Sequence, residues 1–302
     1  MNKDLISVYD IKDDIDEILD LAIKIKKDPK KYARTLKDKS LGMIFEKPST
    51  RTRISFEVAM TQLGGHALYL SPKDMQMGRG ETVADTAKVL SRFVDGITYR
   101  AFDHNMVLEL AKNATIPVIN ALDNLEHPAQ IVADLLTILE KKGTFKNLKF
   151  AYVGDGNNVA NSLILGCAVV HMDCYIGCPA TNQPNAEILK RAREIAAGKS
   201  KIEVVEDPAE AVKDADIIYT DVWVSMGEEA QKEEKEKLFR PYQVNSELVK
   251  NAKKDYIFMH CLPAHRGFEV TDEVVDSKNS VVFDEAENRL HAQKALLVKM
   301  LK

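Results

Sequence analysis

Three hydroxyl residues and two arginines interleave in Ser49-Thr50-Arg51-Thr52-Arg53. At the start of a helix, such hydroxyls and guanidinium groups add to the free backbone N–H groups and make a site for a doubly charged oxyanion, most simply a phosphate. The context fits a helix start. An apolar, strand-like run, Ser40–Phe45, leads into the segment, and Phe56, Ala59, Met60 and Leu63 then recur at helical spacing, so Ser49 or Thr50 would be the N-cap. The competing reading is a capped helix with solvated arginines, although helix N-termini favour acids over arginines.

Further groups fall at the ends of strand-like runs. Arg100 follows the run 96–99, and His127-Pro128-Ala129-Gln130 follows the run 117–121. Proline suits a first helical position, which leaves His127 at the cap, either structural or facing a ligand that Gln130 could share. Gly154-Asp155-Gly156-Asn157-Asn158 follows the run 148–153 and invites a dinucleotide-binding reading. Against it, Val159 replaces the third glycine and Asp173 precedes a strand rather than ending one. A turn that needs close backbone approach explains the glycines equally well and leaves Asn157 or Asn158 to present an amide. Asp221 ends the run 217–220, and Cys261 sits between His260 and Leu262-Pro263 after 256–259. On a strand His260 would point to the face opposite Cys261, which disfavours an acyl-thiol route that needs a base beside the thiol.

Five motifs in order now resemble one family. Ser49-Thr50-Arg51-Thr52-Arg53, Gln76-Met77-Gly78-Arg79-Gly80-Glu81, His127-Pro128-Ala129-Gln130, Asp221 with Ser225-Met226-Gly227, and His260-Cys261-Leu262-Pro263 are similar to those of the carbamoyltransferases. The last two are most similar to the branch whose acceptor is L-ornithine. The resemblance implies that Ser49, Thr50 and Arg51 hold the phosphate of carbamoyl phosphate. Thr52, Arg100 and His127 would donate hydrogen bonds to its carbonyl oxygen, with Gln130, Cys261, Leu262 and Arg289 completing that site. It places Asn158, Asp221, Ser225 and Met226 on L-ornithine, with Asp221 on the α-ammonium and Cys261 facing the side-chain amine. Thr52, Arg100, His127 and Cys261 are then the catalytic candidates. The resemblance further implies a cis bond before Pro263, no metal or organic cofactor, and a homotrimer or multiple of one in which Gln76 reaches a neighbour's site. Sister enzymes acting on putrescine, an acylated ornithine or aspartate are the near alternatives, and a Rossmann-type nucleotide-binding protein is the distant one.

The elements that would carry these residues alternate between apolar runs and helical patterns along all 302 residues. This is the rhythm of an α/β protein with two doubly wound parallel-sheet domains. The boundary is expected near Lys146, giving domains 1–145 and 146–285, and the resemblance implies that the C-terminal helix, 286–302, crosses back to the first. The second series is expected to include a strand at 281–283. The charged stretch 228–237 reads as a solvated helix or, beside Gly227, as a mobile lid. With 45% apolar and 29% charged residues and a net charge of -4, the composition predicts an ordinary soluble, cytoplasmic protein with no electrostatic footprint for nucleic acid. No run approaches a membrane span and no leader pattern opens the chain. The four cysteines do not form a disulfide framework, and Cys174 and Cys178 are expected to be buried thiols rather than half of a metal site.

Overall fold

The computed structural model describes residues 3–77, 79–225, 227 and 229–302. It divides into two compact units, Met1–Leu136 with Glu287–Lys302, and Thr137–Ala286. In the first unit, α1 (Ile15–Lys27) and α2 (Pro29–Tyr32) precede β1 (Ser40–Phe45), α3 (Thr50–Gln62), β2 (His66–Leu70), α4 (Val83–Leu90), β3 (Gly96–Arg100), α5 (His104–Asn113) and β4 (Val118–Leu122). Helix α6 (Pro128–Lys142) leads on to β5 (Lys149–Val153), α7 (Asn158–Val169), β6 (Asp173–Gly177), α8 (Ala186–Ala196), β7 (Ile202–Val205), α9 (Pro208–Val212) and β8 (Ile217–Tyr219). Then come α10 (Lys232–Phe239), β9 (Ile257–Met259), α11 (Asp272–Val275) and α12 (Val282–Leu301). The division falls inside α6, whereas the sequence reading places it after that helix.

Both sheets are parallel throughout, in the orders β2-β1-β3-β4 and β7-β6-β5-β8-β9. Their inner strands are near-continuous apolar runs because helices cover both faces. β1, β3 and β5 are buried along almost their whole length. Strand order reverses between β1 and β3 in one sheet and between β5 and β8 in the other. At such a switch point the two neighbouring loops turn to opposite faces and open a crevice at the carboxyl ends. The crevices therefore open beside residues 46–49 and 101–103 in the first unit, and beside 154–157 and 220–221 in the second.

The segment 281–283 is not a strand. The Ser280 to Phe258 pairing is an isolated bridge, and α12 starts at Val282 with Asp284 and Glu285 in its first turn, where the macrodipole favours acids. The end of α12 belongs to the first unit: Leu301 packs against β3 beside Gly96, where a methyl group would lie 2.6 Å from Leu301 Cδ2. Among the described residues, no helix is long and apolar enough to cross a membrane. All four cysteines are free thiols, and Cys167, Cys174 and Cys178 are buried.

Candidate active site

In the first unit Ser49 caps α3, its extended backbone (φ -159°, ψ 117°) letting Oγ accept the Thr52 N–H at 3.2 Å. The first turn holds no acid. Arg51 stands there instead, an arrangement the helix dipole opposes and a bound anion would offset. Arg53 points elsewhere: its guanidinium stacks 3.7 Å from the centroid of Tyr69 and pairs with Glu57 on the exposed surface. Glu46 fixes the geometry of the crevice, because its carboxylate accepts the Tyr99 hydroxyl at 2.7 Å and the Phe102 N–H at 2.8 Å. One side chain thereby ties the turn after β1, which leads to Ser49, to the turn after β3, which carries Arg100. Burial, followed by the hydrogen bond to Glu46, pushes the Tyr99 hydroxyl well above the usual range, so it remains a donor.

Arg289 is buried on α12, where one Nη donates to Gln130 Oε1 and the other to Thr52 Oγ1 at 3.0 Å. Gln130 Nε2 in turn donates to Asp134 at 2.8 Å. Because Thr52 Oγ1 accepts from Arg289, its own proton is available to a ligand. The turn before His127 is built on Asp123. That carboxylate accepts from the Leu125 and Glu126 N–H groups, each at 2.7 Å, from Asn120 Nδ2 at 2.8 Å and from His104 Nδ1 at 2.6 Å. The hydrogen bond to Asp123 raises the His104 pKa above the ordinary histidine value, burial notwithstanding.

His127 goes the other way. Burial first, then the charges of Arg289, Arg100 and Arg51, hold its pKa well below the ordinary value, so the imidazole is neutral at physiological pH. Three guanidinium groups around a neutral donor make a place that calls for an anion. The depressed pKa has a consequence for stability. Below about pH 6.5 the unfolded chain protonates His127 while the folded chain does not, so stability falls with acid at a slope approaching about 1.4 kcal/mol per pH unit for this group. Denaturant titrations at pH 5 and pH 7 are therefore expected to show a smaller acid loss for His127→Gln than for the native chain.

In the second unit Asn157 caps α7, its Oδ1 accepting from the Val159 and Ala160 N–H groups at 2.9 and 3.1 Å. Its Nδ2 donates to Asp221 Oδ2 at 2.9 Å, and the Cys261 thiol donates to Asp221 Oδ1 at 3.1 Å. Asn157 is thus committed within the protein, and Asn158 stands half-buried at the first position of α7. Gly156 does not cradle a dinucleotide. A methyl group there would lie 2.4 Å from Gln183 C and Pro184 N, so the protein's own backbone fills the close approach that a pyrophosphate would need.

The expectation that His260 faces away from Cys261 fails because β9 ends at Met259 and strand alternation no longer applies. Ligating atoms of Asp221, His260 and Cys261 all lie within 4.8 Å of one another. The imidazole is nonetheless committed. Nδ1 accepts the Leu262 N–H at 2.8 Å and Nε2 lies 3.2 Å from Glu269 Oε1, while the His260 N–H donates to Glu285 at 2.9 Å. This scaffold holds Leu262 at φ 59° before a cis bond to Pro263.

The structure gathers Thr52, Gln130 and Arg289, sets Arg51 and Arg100 close enough to act on His127, and joins Asp221 to Cys261. Thr50 and Gln76 are exposed, and among the described residues no hydrogen bond links Gln76 to the others. Ser225 is half-buried, while Met226 and Gly78 lie outside the described residues. Glu46 and Asp123 are supports that sequence reasoning did not single out. The signal for them was only their place, one position after a strand end. Asn157, offered by the sequence as a ligand amide, is a support as well.

An anion-holding edge on one parallel sheet and a carboxylate–thiol pair on the edge of another are what a group transferase with two substrates presents. Residues 3–140 match the carbamoyl-P binding domain, and residues 146–300 the Asp/Orn binding domain, of aspartate/ornithine carbamoyltransferase. The chain is 62% identical over 305 residues to an ornithine carbamoyltransferase of Picrophilus torridus, covering 100% of both. It is 61% identical over 300 residues to a catabolic ornithine carbamoyltransferase of Thermoplasma volcanium, covering 99% of this chain and 98% of that one. The solved ornithine carbamoyltransferase from Pyrococcus furiosus superposes with a TM-score of 0.95 at 56% identity, over 99% of this chain and 96% of that one. The chain belongs to the aspartate/ornithine carbamoyltransferase family.

Proposed function

We propose that this protein transfers the carbamoyl group of carbamoyl phosphate to the side-chain amine of L-ornithine, giving L-citrulline and phosphate. The observation that carries the reading is the set of Arg51, Arg100 and Arg289 around a neutral His127 beside the Thr52 hydroxyl. Ser49, Thr50 and Arg51 take the phosphate. Thr52, Arg100 and His127 donate to the carbonyl oxygen, on which negative charge grows as the amine attacks the carbon. Each such preorganised donor is commonly worth about 10²- to 10³-fold in rate. The neutral state of His127 suits a hydrogen-bond donor rather than a competing acid.

On the second unit Asp221 takes the acceptor's α-ammonium, Asn158 with Ser225 and Met226 its carboxylate, and Cys261 with the Leu262 carbonyl faces the side-chain amine. Aspartate as acceptor would call for a cationic pocket, whereas Asp221 and Cys261 suit an amine. Putrescine would leave the carboxylate contacts without a purpose. Attack is direct, because the His260 nitrogens are engaged by Leu262 and Glu269 and do not serve as the thiol's base. The attacking amine must be neutral, and with a reference pKa of about 10.4 only on the order of one ornithine in 10³ is so at pH 7. An acceptor panel assayed with carbamoyl phosphate tests the reading: citrulline from ornithine with little product from putrescine, acetylornithine or aspartate is expected, and preference for another acceptor would overturn it.

The assembly is a homotrimer or a multiple of one, with Gln76 reaching a neighbour's phosphate site. Exposed Ile54 beside the open edge strand β2, with Leu68 and Tyr69 also exposed, supports a contact between copies on this side. Arg51→Ala and Gln76→Ala proteins should each be severely impaired, yet mixing, denaturing and reassembling them should restore about one quarter of the sites, since each of two independent choices is one half in a closed ring. No recovery, with hybrids confirmed by mass, would rule out shared sites.

A further inference from the structure

The charged stretch after Gly227 is not simply solvated. In α10 the exposed Lys232, Glu233, Glu234 and Lys237 face water, but Lys235 turns inward with Phe239, one helical turn on. Lys235 Nζ lies 2.7 Å from Asp155 Oδ2, and both side chains are only 9% exposed. The other Asp155 oxygen accepts from Asn182 Nδ2 at 3.2 Å. Burying two charges is costly unless they are paired and hydrogen-bonded, and removing either partner strands the other. We propose that Lys235 is a positioning residue for the acceptor: its ion pair with Asp155 holds α10, and through Phe239 also Trp223, against the turn that presents Asn157 and Asn158.

The connection is continuous. The Asp155 carbonyl accepts the Asn157 N–H at 2.7 Å and the Tyr152 hydroxyl at 2.9 Å, so a shift of Asp155 moves Asn157. Asn157 in turn holds Asp221, which holds the Cys261 thiol. From the other end, α10 is fixed by Phe239, stacked on Trp223 with centroids 6.1 Å apart, and Trp223 stands between Asp221 and Ser225. Lys235 thus anchors a set of contacts that runs through Asp155 and Asn157 to Asp221 and Cys261, and α10 is held in addition by Phe239 on Trp223. None of these contacts involves the groups assigned to carbamoyl phosphate on the first unit. A mobile-lid reading of the whole stretch 228–237 does not suit α10, which is pinned at Lys235 and Phe239.

The inference rests on ornithine being the acceptor, and the test separates the two. Lys235→Met, Lys235→Arg and the double variant Lys235→Met/Asp155→Asn are compared with the native enzyme for KM of each substrate, thermal stability and Trp223 emission without substrates. Displacement of ligand-contacting groups by about 1 Å can cost on the order of 100-fold, so Lys235→Met should raise the ornithine KM by about 10- to 100-fold. The carbamoyl phosphate KM should stay within about two-fold, since its phosphate contacts at Ser49, Thr50 and Arg51 lie outside this chain of contacts and only Cys261 is shared. Lys235→Arg should recover most of the loss. The double variant, which leaves no unpaired buried charge, should regain thermal stability but keep the raised ornithine KM, and Trp223 emission should move to the red in both Met-containing variants. Equal effects on both substrates that track stability, or a normal ornithine KM in the double variant, would overturn the proposal. Absence of citrulline from the native enzyme would instead reject the acceptor assignment, and an unshifted Trp223 emission would then by itself reject the tether.

Discussion

Arg51→Ala is expected to abolish tight binding of phosphate and carbamoyl phosphate while leaving the fold intact. A charge-assisted, bidentate guanidinium contact to a dianion is worth about 1.5 to 3 kcal/mol or more, which corresponds to an affinity loss of at least about 10- to 100-fold. Stability should change little, because Arg51 is only half-buried at the first turn of α3 and the Ser49 cap does not depend on it. Removing a cation from a helix N-terminus is itself slightly favourable. Calorimetric titration with phosphate decides the matter, and unchanged affinity would mean that Arg51 merely decorates the helix.

Arg289→Ala is expected to do more, since it strikes both function and stability. Its guanidinium joins the Thr52 hydroxyl on α3 to the Gln130 carbonyl on α6 from a third helix. Without it the buried Gln130 oxygen loses a charged donor, at a cost of about 1 to 3 kcal/mol. Thr52 also loses the partner that directs its proton outward, and His127 loses one of the three charges that hold its pKa down. Turnover should fall by on the order of 100-fold or more, as expected when donors to a developing oxyanion are misplaced. The predicted signature is a lowered melting temperature together with a His127 imidazole that titrates closer to the ordinary histidine range, followed by NMR. A normal melting curve with full activity would show that Thr52 and Gln130 are held by other means.

Much of the architecture was legible because periodicity is a local property. The run Ser40–Phe45, the helix at 54–63 and the apolar face of α1 follow from spacing alone, and hydroxyls interleaved with arginines at a strand-to-helix turn already indicate an anion. The failures are equally physical. The segment 281–283 is apolar enough for a strand, but only Ser280 bridges the edge strand β9 before the chain enters α12 at Val282. Nothing in a stretch such as 228–237 marks which lysine will meet a buried carboxylate some 80 residues earlier in the chain. The side on which His260 lies depends on where β9 stops, and its orientation is held by hydrogen bonds with Leu262, Glu269 and Glu285.

By itself the sequence determined the fold class, the order of the motifs and the chemistry of a dianion site, because these depend on residue type and on spacing within one element. Only the tertiary structure decided which groups converge: that Arg51 and not Arg53 faces His127, that Arg289 grips Thr52 and Gln130, and that Asp221 accepts a hydrogen bond from the Cys261 thiol. The physical reason is that pKa values and hydrogen-bond partners are set by distance and burial in space. Chain segments that meet at the carboxyl edge of a parallel sheet are far apart in sequence, joined only by the strand order that brings them there.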